Sequence, residues 1–317
     1  MAFDVSALSN YTNQNNFPLI TKSLFEAKTM KLMTPMTGIK SAETVNIMET
    51  DSIFQAGGTC GFLTSGTTSF SQRTLTVGRI KINESLCPKT LEAYYLQLQL
   101  PTGSRYENLP FEEVYSNEKA GKIAQQLEVA VWQGDTTLAD ANLKRFDGLL
   151  KIIDASGSAI AADNTNNTEA ITSSNAIAKF DSLYENIPTQ LLNKNDFTIF
   201  CGLDVFRLYT VALKNQNLFH YDAVAAAADM EIIMPGTNIK VIGVNGLNSA
   251  NDNTNNTGLN RVIALRTSNM YYGTDLMNEE DRFEIFFAKE ADEIRFVAEF
   301  KVGTQVAFPA EIVQYGK

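Results

Sequence analysis

Histidine and tryptophan each occur once in this 317-residue chain, and cysteine three times. Each scarcity removes a class of chemistry. An imidazole acting as general base needs a nucleophile and an orienting acid within reach. The lone candidate, His220, sits in Asn217-Leu218-Phe219-His220-Tyr221-Asp222, just past a predicted helix, where packing at a helix end accounts for it. A Cys201-His220-Asp222 set can be written only on paper. Cys60, Cys87 and Cys201 are widely spaced and never paired as C-x-x-C, so reduced thiols are expected and a zinc site is not. Basic residues are also in deficit. With 26 Lys+Arg against 36 Asp+Glu the net charge is −10, the wrong sign for gripping nucleic acid or an anionic membrane through a basic face. No apolar run approaches the ~18–20 residues of a membrane-spanning helix. The start, Met1 to Ser6, has neither the basic segment nor the apolar core of a secretory signal, so no export is expected.

Two features invite a binding or catalytic reading and do not sustain it. The run Gln55-Ala56-Gly57-Gly58-Thr59-Cys60-Gly61-Phe62-Leu63-Thr64-Ser65-Gly66 is glycine-rich, yet no lysine follows Gly61 or Gly66 as a phosphate loop requires. It fits the tip of a long hairpin, where glycine tolerates positive φ. Acidic clusters occur at Glu112-Glu113, Glu279-Glu280-Asp281 and Glu290-Asp292-Glu293. The first opens a helix, where negative charge suits the dipole. The others flank strand-like runs beside Arg282, Lys289 and Arg295, and read as ion-paired loops. No enzyme motif, metal site or cofactor site emerges.

What is present is an ordered series of elements. An Asn-rich start leads through Phe17-Pro18-Leu19-Ile20 to a short helix around 23–33, a segment that cannot form its own core. Residues 43–54 are extended. After the tip, Arg73 to Ile82 alternates like a half-buried strand, with a slip of phase at Gly78-Arg79 that suggests a bulge. A tip of roughly 18 residues (55–72) is too long for an ordinary hairpin turn, and an isolated two-stranded ribbon needs a surface to lie on. Pro110 with Glu112-Glu113 starts a helix that runs to about Trp132. Its apolar face holds Ala120, Ile123, Ala124, Leu127 and Val131. Ser173-Ser174 would cap the next helix, stopped by Pro188. Phe197 to Cys201 is a short buried strand, followed by a helix at about 204–215. Strands are expected at 229–233, 238–244 and 261–267, then at 282–288 and 294–301, with 306–308 and 311–315 closing the chain.

Certain stretches carry a resemblance. Gln126-Leu127-Glu128-Val129-Ala130-Val131-Trp132-Gln133-Gly134-Asp135 with Phe146-Asp147-Gly148-Leu149 is one. Asp181-Ser182-Leu183-Tyr184 through Ile187-Pro188, with Phe197 to Phe200 and Val205-Phe206-Arg207-Leu208, is another. Met234-Pro235-Gly236-Thr237-Asn238-Ile239 and the ending Val306 to Val313 complete it. In this order they resemble the tailed-bacteriophage major capsid protein of the Hong Kong 97 fold, over essentially the whole chain. That resemblance implies an α+β class with an N-terminal arm (1–45) and an extended β-hairpin loop (46–88). It further implies a discontinuous peripheral domain (89–170, with a spine helix 110–133, and 279–317) and an axial domain (171–278).

The same resemblance implies a non-catalytic subunit that assembles with itself, as hexamers and pentamers, into an icosahedral head around double-stranded DNA. Contacts between subunits would fall on the arm (Phe17, Leu19, Ile20), the loop (Phe54, Phe62, Leu63, Phe70, Arg73) and a charged turn (Lys289, Glu290, Asp292, Glu293, Arg295). Portal, scaffolding and decoration proteins are the further partners implied, with the virion as location and the bacterial host cytoplasm as the place of assembly. DNA would be enclosed without specific binding, and no membrane is involved. Some members of the family join a loop lysine to an asparagine of the peripheral hairpin. Here 55–72 has no lysine and 282–295 no asparagine, so no such bond is expected. An encapsulin-like bacterial compartment would share the fold. An α+β enzyme with a pocket around His220 and Cys201, or another virion part such as a tube or decoration protein, is the reading from outside it.

Overall fold

The computed structural model describes residues 27–55, 57, 64–87, 111–163, 169–216, 230–248, 261–275, 282–291 and 293–316. It opens with a short helix, α1 (Lys28–Leu32), and strand β1 (Thr34–Thr37). Next come a two-stranded ribbon, β2 (Ala42–Thr50) with β3 (Thr68–Thr76), and then β4 (Gly78–Leu86). The longest helix, α2 (Phe111–Gln133), spans about 35 Å at 1.5 Å per residue. Helix α3 (Leu149–Ser156) ends on Gly157 at φ +64°, the left-handed stop that glycine supplies without strain.

Two mixed sheets organise the rest. The first is built on β12 (Glu293–Val306), flanked by β4 on one edge and β11 (Arg282–Ala288) on the other. It continues through β10 (Met270–Thr274) to β1. Strand β12 reads as an alternating strand because Ile294, Phe296, Ala298 and Phe300 all point into one core. That core also takes Ile123, Leu127, Val131 and Trp132 from α2, and Leu149 and Ile153 from α3.

The second sheet has six strands in the order β5 (Ile160–Ala161), β13 (Val313–Tyr315), β9 (Val262–Arg266), β6 (Phe197–Gly202), β8 (Lys240–Val244), β7 (Glu231–Ile233). Its central strands are apolar at nearly every position because both faces are covered. Val262 and Ala264 join the core under helices α4 (Ala176–Glu185) and α5 (Leu203–Asn215), while Ile263 and Leu265 join the core of the long helix. Phe200 likewise faces Trp132, ring centroids 5.4 Å apart, whereas Ile199 and Cys201 face α5. The sheet is therefore a wall shared by two cores.

Several expectations change in detail. The slip of phase at Gly78 is not a bulge. The chain leaves β3 at Thr76, passes through Val77 and enters a different sheet as β4, so two strands of different register meet there. Ser173 and Ser174 do not cap α4, which begins after Asn175. The Asn175 side chain turns back to accept from the Thr172 N–H at 2.7 Å, and the Ser174 and Thr172 hydroxyls pair with each other at 2.9 Å. Strands β1 and β10 were not anticipated. Strand pairing crosses the expected boundaries at 170 and 279 in both directions: β5 and β13 join the six-stranded sheet through β9, and β10 pairs with β12 in the first sheet.

Candidate interaction surfaces

Of the Cys201-His220-Asp222 set weighed for chemistry, Cys201 is the one the structure places. Cys201 lies in β6, where its thiol reaches the Ile242 carbonyl at 3.8 Å and burial holds its pKa well above the ordinary thiol range. Such a thiol is a small core side chain rather than a nucleophile. His220, Cys60 and Glu279-Glu280-Asp281 lie outside the described residues. Among the described residues no group of His, Cys, Asp and Glu is placed to hold a metal ion, and no helix is long and apolar enough to cross a membrane.

Surface chemistry concentrates instead on the ribbon. Its root is fastened to its own chain. Val45, Ile47 and Leu75 are buried with Ile39 and Ala307. The Arg73 guanidinium donates to the Val306 carbonyl at 3.2 Å, and Gln305 Nε2 donates to the Thr74 carbonyl at 2.6 Å. Gly273 and Gly303 face each other across β10 and β12, and the root lies over them. A Cβ at Gly303 would run into the Thr76 carbonyl, and one at Gly273 into the Leu75 side chain. This glycine pair is the seat of the ribbon.

Beyond the root the same two strands stand in solvent. Met48 and Phe70 are directly opposed in the β2–β3 register, 59% and 77% exposed. The next pair on that face, Asn46 and Gln72, is joined by a side-chain hydrogen bond of 2.9 Å. Past the strand end, Ile53 is exposed and Phe54 is 99% so. Single exposed apolar residues are ordinary, but a run of them on one projecting element marks a surface made to be covered.

The expected contact residues are thus placed unequally. Phe54 and Phe70 are exposed on the ribbon, while Arg73 is half-buried and spent on its own chain. Lys289 and Glu290 form the exposed turn between β11 and β12, and Glu293 and Arg295 follow it in β12 with their charged groups 4.0 Å apart. Phe17, Leu19, Ile20, Phe62, Leu63 and Asp292 lie outside the described residues. Sequence reading passed over a second exposed apolar group, Met230 and Ile233 at edge strand β7, with Val211 exposed on α5. Met230, at φ +53°, is the one non-glycine described in the left-handed region. It also passed over a buried carboxylate. Glu128 sits on the apolar stripe of α2, four residues after Ala124 and four before Trp132, and a charge on such a stripe was the available signal.

No family model and no curated protein matches the sequence. Among solved structures, the chain is similar to one in the satellite phage P4 procapsid that includes the size determination (Sid) protein, at 11% identity and a TM-score of 0.61, over 95% of this chain and 91% of that one. It is similar to the capsid of an empty GTA particle, at 12% identity and TM-score 0.58, over 92% and 90%. The capsid of Myoviridae phage XM1 gives 12% identity and TM-score 0.54, over 92% and 90%. The likeness extends over more than nine-tenths of the chain, and the chain has the α+β capsid fold of the Hong Kong 97 type.

Proposed function

We propose that this chain is the major capsid subunit of a tailed bacteriophage, which assembles with its own copies as hexamers and pentamers into the icosahedral head enclosing double-stranded DNA. The observation that carries this reading is the ribbon: rooted on its own sheet, then apolar and uncovered, on a chain with a capsid fold over nearly its whole length. An element that is unstable alone and apolar at its outer half is completed by a neighbour. Subunits that each lay a ribbon on the next make head-to-tail contacts, and such contacts close into rings when the rotation closes.

In this reading the role is structural rather than catalytic. The arm is 1–45, the loop 46–88, the peripheral domain 89–170 with 279–317, and the axial domain 171–278 extended by β5 and β13. The turn at Lys289 and Glu290, with Glu293 and Arg295, sets register between neighbours through mixed charge, which favours specificity over raw affinity. A net charge of −10 suits a wall that encloses DNA without gripping it. Portal, scaffolding and decoration proteins are the further partners, the virion is the location, and assembly takes place in the host cytoplasm.

Electron microscopy of the purified full chain at rising concentration tests the assignment. Closed or curved shells tiled by six-subunit rings are expected. A monodisperse monomer at every concentration would overturn it.

A further inference from the structure

The first helix described is tied to the longest one by a short chain of hydrogen bonds. The Thr29 backbone N–H donates to both oxygens of the Glu128 carboxylate, at 3.1 and 3.3 Å. Its hydroxyl donates to Glu128 Oε1 and accepts from Trp132 Nε1 at 2.8 Å. Glu128 and Trp132 are one turn apart on α2, so both reach the same residue of α1. Trp132 is wholly buried and Glu128 is 4% exposed. A carboxylate at that depth is costly to ionise unless fully compensated.

A cavity of about 530 Å3 opens beside this carboxylate, its wall including Ala27, Lys28, Gln125, Glu128, Met230 and Asn245. The charges around it come from four elements. Lys28 on α1 reaches Glu231 of β7 at 3.9 Å, Lys240 of β8 reaches the same carboxylate at 3.8 Å, and Asp204 lies in the first turn of α5, where its charge acts on Cys201. From α2 itself and from the turn at Asn245–Leu247, the groups lining the cavity beside Glu128 are uncharged.

We propose that Thr29, Glu128 and Trp132 form a proton-controlled clasp that fixes the root of the N-terminal segment to the long helix, tight when Glu128 is protonated and looser when it ionises. Burial pushes the Glu128 carboxyl above its ordinary value of 4.5, and the Thr29 hydrogen bonds and the Lys28 charge only partly offset this. The docked state therefore holds more protons than the undocked one between 4.5 and the docked value. Docking is strongest below that window and weakens as pH rises through it. The neutral carboxyl keeps an oxygen to accept from the Thr29 N–H, so the contact survives protonation while the buried charge does not. The clasp is a property of one chain and does not rest on assembly.

Trp132 is the only tryptophan, so intrinsic fluorescence of the unassembled full chain reads the clasp directly. Titration from about pH 4 to about pH 9 is expected to give one sigmoidal change with its midpoint above the ordinary carboxylate range, absent in Glu128→Gln. Hydrogen exchange at the α1 amides, taken as the ratio of wild type to Glu128→Gln at each pH, should lose about tenfold in protection for each unit by which docking raises the carboxyl. Thr29→Val removes the hydroxyl that stabilises the carboxylate and should move the fluorescence midpoint further up. Superimposable titrations of wild type and Glu128→Gln would overturn the proposal. So would a Thr29→Val midpoint that stays or falls.

Discussion

The two halves of the ribbon have the same secondary structure and opposite fates. Both are paired along β2 and β3, and both hold large apolar residues, on opposite faces: Val45, Ile47 and Leu75 share one face, Met48 and Phe70 the other. At the root, Val45, Ile47 and Leu75 close over Ile39 and Ala307 of their own chain; from Met48 and Phe70 outward, apolar side chains meet solvent. Hydrophobic burial is non-directional and needs only a covering surface. What separates them is therefore which face they occupy and whether the chain itself supplies a surface for that face. The root belongs to folding, and the outer half to whatever comes next.

The sharpest break of this comparison is at Leu75. It is fully buried at the root and packs against the space that Gly273 leaves open. Leu75→Ala should destabilise the isolated subunit by about 2–5 kcal/mol, seen as a lower denaturant midpoint. An unchanged midpoint would mean that the root, too, waits for a neighbour.

A smaller effect is expected at the seat. Gly303 lies under the backbone where the chain passes from β3 into β4, so Gly303→Ala forces Thr76 and Val77 to move. Loss of about 1–3 kcal/mol of subunit stability is expected. Its readout in hydrogen exchange should centre on the ribbon root and β4, leaving the six-stranded sheet protected. Uniform loss across both sheets would show that the ribbon is not a separately seated element.

How far the sequence revealed this follows from what each signal encodes. Alternation identified the strand before the tip and the end of the one after it, because period two is a local property, but the exposed, mostly polar stretch Thr68–Gln72 of β3 was read as part of the tip. It could not say that Leu75 and Ile80 belong to different sheets, since a change of sheet and a bulge shift the phase alike. The buried strands Phe197–Gly202 and Val262–Arg266 were legible as continuous apolar runs, because both faces of the sheet are covered. Thr34–Thr37 was not legible, as its residues are only partly buried and its place is set by β10 alone. Of the expected contact residues, Phe54 and Phe70 stood out by type, whereas Arg73 turned inward because Val306 offers it a carbonyl. Nor could the Thr29–Glu128 contact be read, since its partners are 99 residues apart.

The smallest effect on the subunit should come from the outer half, and there the comparison is sharpest. Phe54 and Phe70 touch solvent, so the double change Phe54→Ser, Phe70→Ser should move subunit stability by no more than about 0.5 kcal/mol. In an assembled shell the same two rings would be covered by a neighbour, each contributing about 1.5–3 kcal/mol. That contribution recurs at every ribbon, so the variant should fold normally and fail to close shells, seen as an unchanged denaturant midpoint with loss of particles by electron microscopy. If the variant lost subunit stability while still assembling, the outer half would belong to its own chain's fold. The ribbon would then be a long hairpin, with no distinction between root and reach.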